Sequence, residues 1–170
     1  MTLAITTFSN ERGPSALFKA LGHPVTALAL SALVERLGQA DPVAVFDPHG
    51  HAADLFALFA PAWNLVAYYV QRIEDLGRTL RDLPAQPVSA IGGTTARAIL
   101  IATYDAAKAL AAIAHGAPRG VAVTTLDEAR LPDRMLANPA RYLDPLNFAT
   151  NLALFRDDDL THTRLVTANY

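Results

Sequence analysis

Val43-Ala44-Val45-Phe46-Asp47-Pro48-His49-Gly50-His51-Ala52 is the stretch that sets the fold class. Its four leading apolar residues form a short continuous run, the pattern of a strand buried on both faces. Asp47 to His51 end that run, and Ala52 to Ala60 then reads as a helix stopped by Pro61. The unit recurs downstream. Leu65 to Val70 is a second apolar run, rich in β-branched and aromatic residues, and Ile99 to Ala102 is a third. A helix over Asp105 to His115 follows, broken by Gly116-Ala117-Pro118, and Gly120 to Thr124 is a fourth run. Strands alternating with helices at this spacing require right-handed crossovers and a mostly parallel sheet. The expected class is α/β, a three-layer Rossmann-like sheet.

Outward from that core, residues 1–40 form a helical preface. Ser15 is placed as an N-cap, Pro24 suits the first turn of a second helix, and Gly38 reads as its C-terminal stop. Between the second and third strands, Gly77 to Thr95 contains Pro84, Pro87, Gly92 and Gly93. It reads as a surface excursion with one short strand over Pro87 to Ile91. Residues 127–170 leave the alternating pattern: Pro132, Pro139 and Pro145 permit only short helices. Asn151 to Arg156 and Thr163 to Asn169 then read as a C-terminal β-hairpin around Asp157-Asp158-Asp159. The expected organisation is one domain over residues 1–170, with its Rossmann-like core at 41–126. A final apolar strand would pack into the body, pair with another chain or belong to something longer.

The chain has 170 residues, of which 52% are hydrophobic and 18% charged, with net charge −2. Folding a domain of this length buries about 70% of its surface, enough for a core without staples. The near-neutral charge argues against nucleic acid and anionic membranes as partners, since both select a basic field. With no cysteine, disulfides, thiol nucleophiles and thiolate metal sites are all excluded. Met1 to Arg12 lacks a basic segment followed by an apolar one, and the cytoplasm is the expected location.

In an open parallel sheet, ligands bind beyond the carboxyl ends of the strands. That rule selects Asp47 to His51, Gln71 to Asp75, Thr103 to Asp105 and Thr124 to Glu128. The candidate ligand-binding residues are Asp47, His49, Gly50, His51, Gln71, Arg72, Thr103 and Asp105. Gly50 permits close backbone approach, and the amides after it open a helix, which makes an anion site expected there. A dinucleotide fingerprint would need three spaced glycines and a later acid, and a P-loop would need a lysine after a glycine-rich turn. Neither is present, and the residues specify no cofactor. Ser89, Thr94 and Thr95 lack a nucleophile-elbow context, and no nucleophile, base and orienter can be named together. His49 and His51 beside Asp47 and Asp54 would suit zinc, iron or manganese if a third ligand arrived from elsewhere. The commoner reading has one histidine capping the helix and the other solvated. Glu74-Asp75 and Asp127-Glu128 are acid pairs at strand ends, suited to acid–base work or to helix N-termini.

The segment Val43 to Ala52, with Gly77-Arg78-Thr79-Leu80 and Gln86-Pro87-Val88 after it, resembles the N-terminal domain of sialic-acid and bacillosamine-type sugar acyltransferases. The resemblance covers about residues 41–126. It implies a Rossmann-like fold, a nucleotide-sugar ligand, and Gly50 and His51 in the substrate-binding turn. Asp47-Pro48-His49 stands where that family has glycines, and no hexapeptide repeat follows, so no acyl-transfer site is implied. The expected function is a small-molecule binding module for a nucleotide sugar or other phosphorylated ligand, without catalysis of its own. The alternatives are a structural protein that forms homo-oligomers or joins other subunits, motivated by a mean hydropathy of +0.21, and a metal-dependent enzyme using His49 and His51.

Overall fold

The computed structural model describes residues 16–148. Its elements are α1 (Ala16–Leu21), α2 (Pro24–Gln39), β1 (Val43–Asp47), α3 (Ala52–Phe59), β2 (Leu65–Val70), β3 (Thr79–Leu80), β4 (Leu83–Pro87), β5 (Ala98–Ile101), α4 (Ala107–Ile113) and β6 (Ala122–Thr125). Six strands form one sheet in the order β3-β4-β2-β1-β5-β6. All neighbours are parallel except β3 and β4. The α/β class and the mostly parallel sheet agree with the sequence. Ser15 and the C-terminal hairpin read at Asn151 to Asn169 lie outside the described residues.

β1 is the centre of the sheet, and all five of its residues are buried. Alternation along the strands divides the core in two. Val43, Val45, Tyr68, Val70 and Leu100 join Leu21, Leu30, Leu33 and Leu37 of the first two helices, with Leu55 and Phe56 of α3. Ala44, Phe46, Tyr69, Ile99 and Ile101 join Ile91 with Ala109 and Ile113 of α4. A continuous apolar run is therefore what β1 and β5 require, since each successive residue meets a different set of helices.

Two local readings change. Gly38 lies within α2 rather than ending it, since the helix runs on to Gln39. The indole of Trp63 packs beside Gly38 and donates to the Val34 carbonyl at 2.8 Å, pinning the last turn of α2. His23 caps α2 by accepting from the Val25 amide at 3.2 Å. The stretch read as a surface excursion carries two strands of the sheet. β4 ends at Pro87, where the short strand was expected to begin, and Val88–Gly93 is 3-10 helix.

The prolines explain that difference. β4 pairs with β2 through Tyr68↔Ala85, Tyr69↔Gln86 and Val70↔Pro87. On its other side β3 is only two residues long, so most of β4 behaves as an edge, where proline is tolerated. The β3–β4 turn places Arg81 and Asp82 at φ of 48° and 66°. Positive φ at both central residues gives the hairpin twist that two-residue loops favour. Arg81 lies over the Phe56 ring at 5.2 Å, which ties this turn to α3.

The placement of Gly38 yields a test. A Cβ there would meet Trp63 at 3.5 Å, ordinary van der Waals contact. Gly38→Ala should stabilise the protein by about 0.5–1 kcal/mol in denaturant unfolding, through helix propensity and a restricted unfolded chain. A C-terminal stop requiring glycine would give the opposite sign.

Candidate functional site

The chain passes from β1 to β2 on one side, and β5 later lines up on the other. The strand order reverses between β1 and β5, so the crevice opens where their carboxyl ends part. Two of the loops selected from the sequence meet there. The Ala102 amide donates to the Phe46 carbonyl at 2.8 Å, holding the β5 end against the β1 end.

Asp47 closes β1 and is 1% exposed. Its Oδ1 accepts from the amides of His49 (3.3 Å), Gly50 (2.7 Å) and His51 (2.8 Å), and its Oδ2 from that of Ala52 (2.9 Å). The Tyr68 hydroxyl donates to Oδ2 at 3.3 Å. Burial, with the Asp47 charge beside it, pushes the Tyr68 hydroxyl up to about 12. The amides that open α3 are thus already satisfied by an internal carboxylate. The anion site expected at this helix N-terminus is filled by the chain itself, because an acid at the strand end reaches the same donors that a ligand would.

Past the end of β2, Asp75 is 1% exposed and binds two arginines. Arg72 donates through Nε at 2.7 Å and Nη2 at 3.2 Å, and Arg78 Nε lies 3.0 Å away. The Arg72 hydrogen bond holds the Asp75 carboxyl below its ordinary value against the opposing effect of burial. Both guanidiniums reach the β1 turn. A Cβ on Gly50 would lie 2.5 Å from Arg78 Nη1 and 3.9 Å from Arg72 Nη2, and Gly50 sits at φ +84°. Glycine is needed here twice, for the backbone angle and for the approach of Arg78.

His49 is exposed and His51 half-buried, with ring centroids 5.6 Å apart. Burial holds the His51 imidazole below its usual pKa, and its Nδ1 finds no hydrogen-bond partner among the described residues. His51 stands at the cap position of α3 but makes no side-chain cap bond. Asp47 has taken that role from the histidines. Among the described residues no group of three or more His, Cys, Asp or Glu side chains is arranged to hold a metal ion.

Across the crevice, Thr103 is buried and donates to the Tyr104 carbonyl at 2.9 Å rather than capping α4. Asp127 caps that helix instead, accepting from the amides of Asp105 and Ala106 at 2.9 Å each. Arg130 bridges Asp105 (2.6 Å) and Asp127 (3.2 Å) and lies 4.7 Å over the Tyr142 ring. Asp105 takes a positive φ of 52°, held by Arg130 and by the Tyr142 amide at 2.9 Å. Burial raises the Tyr104 hydroxyl well above its usual range, and it has no partner among the described residues. At the β6 end, Arg36, Glu128 and Thr124 bond to one another.

Of the sequence candidates, Asp47, His49, Gly50, His51 and Arg72 come together at the β1–β2 end. Thr103 and Asp105 lie across the crevice, and Gln71 is exposed beside Arg72. The loop reading missed Arg78, Tyr68 and the organising role of Asp75. Arg78 follows the Gly77 that the resemblance quotes, the one signal that pointed to it. Two apolar grooves, of about 320 Å³ beside Phe18 and Phe148 and about 530 Å³ beside α4 and Val123, lie away from this rim. Compared with protein families, curated proteins and solved structures, the chain matches none.

Two outcomes follow from the carboxylates. Asp47→Ala leaves four amides without their acceptor and should cost about 3 kcal/mol or more in denaturant unfolding. For Asp75 the folded pKa is lowered, so its stabilisation is complete above the ordinary carboxylate value and is lost as pH falls through the lowered one. Unfolding followed from about pH 6 to about pH 2 should show a flatter acid limb in Asp75→Asn than in the wild type.

Proposed function

We propose that this chain is a three-layer Rossmann-like binding module for a phosphorylated small molecule of nucleotide-sugar type, without catalysis of its own. One observation carries the reading. Beside the switch point of a mostly parallel sheet, at its β1–β2 end, two guanidiniums lie against a glycine turn and stay about half exposed, 43% for Arg72 and 51% for Arg78. Guanidinium forks suit phosphate geometry and remain charged at every physiological pH. The carboxylates around them hold turns and arginines in place, an arrangement that favours binding over acid–base chemistry. The resemblance of residues 41–126 to nucleotide-sugar-binding domains adds the ligand class. No described helix is long and apolar enough to cross a membrane.

A second reading has its own observation. Val25 and Leu28 are 55% and 85% exposed on the outer face of α2, and such apolar surface favours contact with another subunit.

Native and denatured mass spectra of the purified protein distinguish the two. A nucleotide-sized mass lost on denaturation is the expected result. A homo-oligomer carrying no small molecule would favour the subunit-contact reading. A nucleotide sugar supplied at 100 times its Kd should stabilise the protein by about 2.7 kcal/mol.

A further inference from the structure

We infer that Arg72 and Arg78, oriented by Asp75, form a two-guanidinium clamp for the phosphate or diphosphate of the ligand, replacing the helix amides that usually take this group. The inference rests on the binding-module reading and deepens it, assigning the two arginines to the phosphate or diphosphate itself and Asp75 to positioning them.

Three observations lead there. First, the backbone donors of the β1 turn are closed to a ligand, since Asp47 accepts from all four amides between His49 and Ala52. An anion arriving at this strand end has to find other donors. Second, both guanidiniums lie against the Gly50 turn, since a Cβ on Gly50 would come within 2.5 Å of Arg78 Nη1 and 3.9 Å of Arg72 Nη2. Third, Asp75 engages the inner edges of both. Arg78 uses Nε, and Arg72 uses Nε and Nη2. Further N–H groups on each guanidinium remain for a ligand, and Asp75 is the only ion-pair partner of Arg78 among the described residues.

Two fixed cations share the buried Asp75 carboxylate. Glu74, 68% exposed and 3.7 Å from Arg72, and Asp47, whose charge also acts on Arg72, are the other acids in reach. The Asp47 oxygens are already taken by four amides and the Tyr68 hydroxyl. Holding two guanidiniums together costs repulsion that a doubly negative group relieves. A tetrahedral phosphoryl group offers oxygens to both forks at once, whereas a lone carboxylate fills one. Gly50 lets Arg78 lie close against the β1 turn.

The test is titration of the full chain with sodium pyrophosphate and, separately, with inorganic phosphate at low salt, followed by calorimetry. Wild type should bind pyrophosphate. R72Q and R78Q should each weaken it at least tenfold, and the double variant should abolish it. R119Q, which lies beside the α4 groove, should leave it unchanged. D75N separates positioning from net charge. Removing a negative charge would tighten binding if Asp75 acted only through its field, whereas loss of orientation weakens it. R72Q and R78Q alter exposed side chains, so they keep the test open should D75N fail to fold.

Equal pyrophosphate affinity in wild type and the double variant overturns the clamp, as does wild type that fails to bind it. Tighter binding by D75N overturns the positioning role. A nucleotide sugar that binds wild type and double variant with one Kd overturns the clamp while leaving the binding module standing. Failure of every nucleotide sugar to bind overturns both.

Discussion

A buried carboxylate at the end of the central strand governs the rest of this structure. Asp47 is surrounded by apolar sheet, and its charge is tolerated because four amides and the Tyr68 hydroxyl point at it. Buried charge without such donors is costly, and buried amides without an acceptor are costly too. Each half of the arrangement therefore requires the other. The result joins β1, the first turn of α3 and β2 at one point, and sets the path of the loop that faces the crevice.

The same solution recurs at the other strand ends. Asp75 gathers two arginines beyond β2, and Asp127 caps α4 beyond β5 while Arg130 binds it to Asp105. Three aspartates organise three neighbouring loops, each drawing donors from a different stretch of chain. This has a consequence for recognition. Carboxylates that satisfy helix N-termini remove the backbone donors on which nucleotide-binding turns commonly rely. At the β2 end the donors that still face solvent are the guanidiniums that Asp75 holds.

Much of the sheet was legible because burial on two faces leaves a plain mark. Val43 to Phe46, Leu65 to Val70 and Ile99 to Ile101 are continuous apolar runs, and each became a strand with both sides covered. β4 carries no such mark. Leu83–Pro87 contains two prolines that read as breakers, and its place depends on β2 lying alongside and on β3 being short. Gly38 misled for a related reason. Glycine marks a helix end by conformational freedom, yet here the helix continues where the indole of Trp63 packs, a contact made across 25 positions of sequence.

The candidate site divides in the same way. Local pattern determined which loops lie at strand ends, that Gly50 sits in a tight turn, and that Arg72 stands near the second strand. These follow from periodicity and backbone preference, which act over a few residues. Tertiary structure decided which groups are satisfied and which still face solvent. Only the fold brings Tyr68 to Asp47 and both arginines to Gly50, and only the fold shows that the amides after Asp47 are already taken. Hydrogen-bond satisfaction is a property of all groups within a few ångströms. The chain assembles those groups from β1, β2 and the loops beyond them, at separations that no local pattern records.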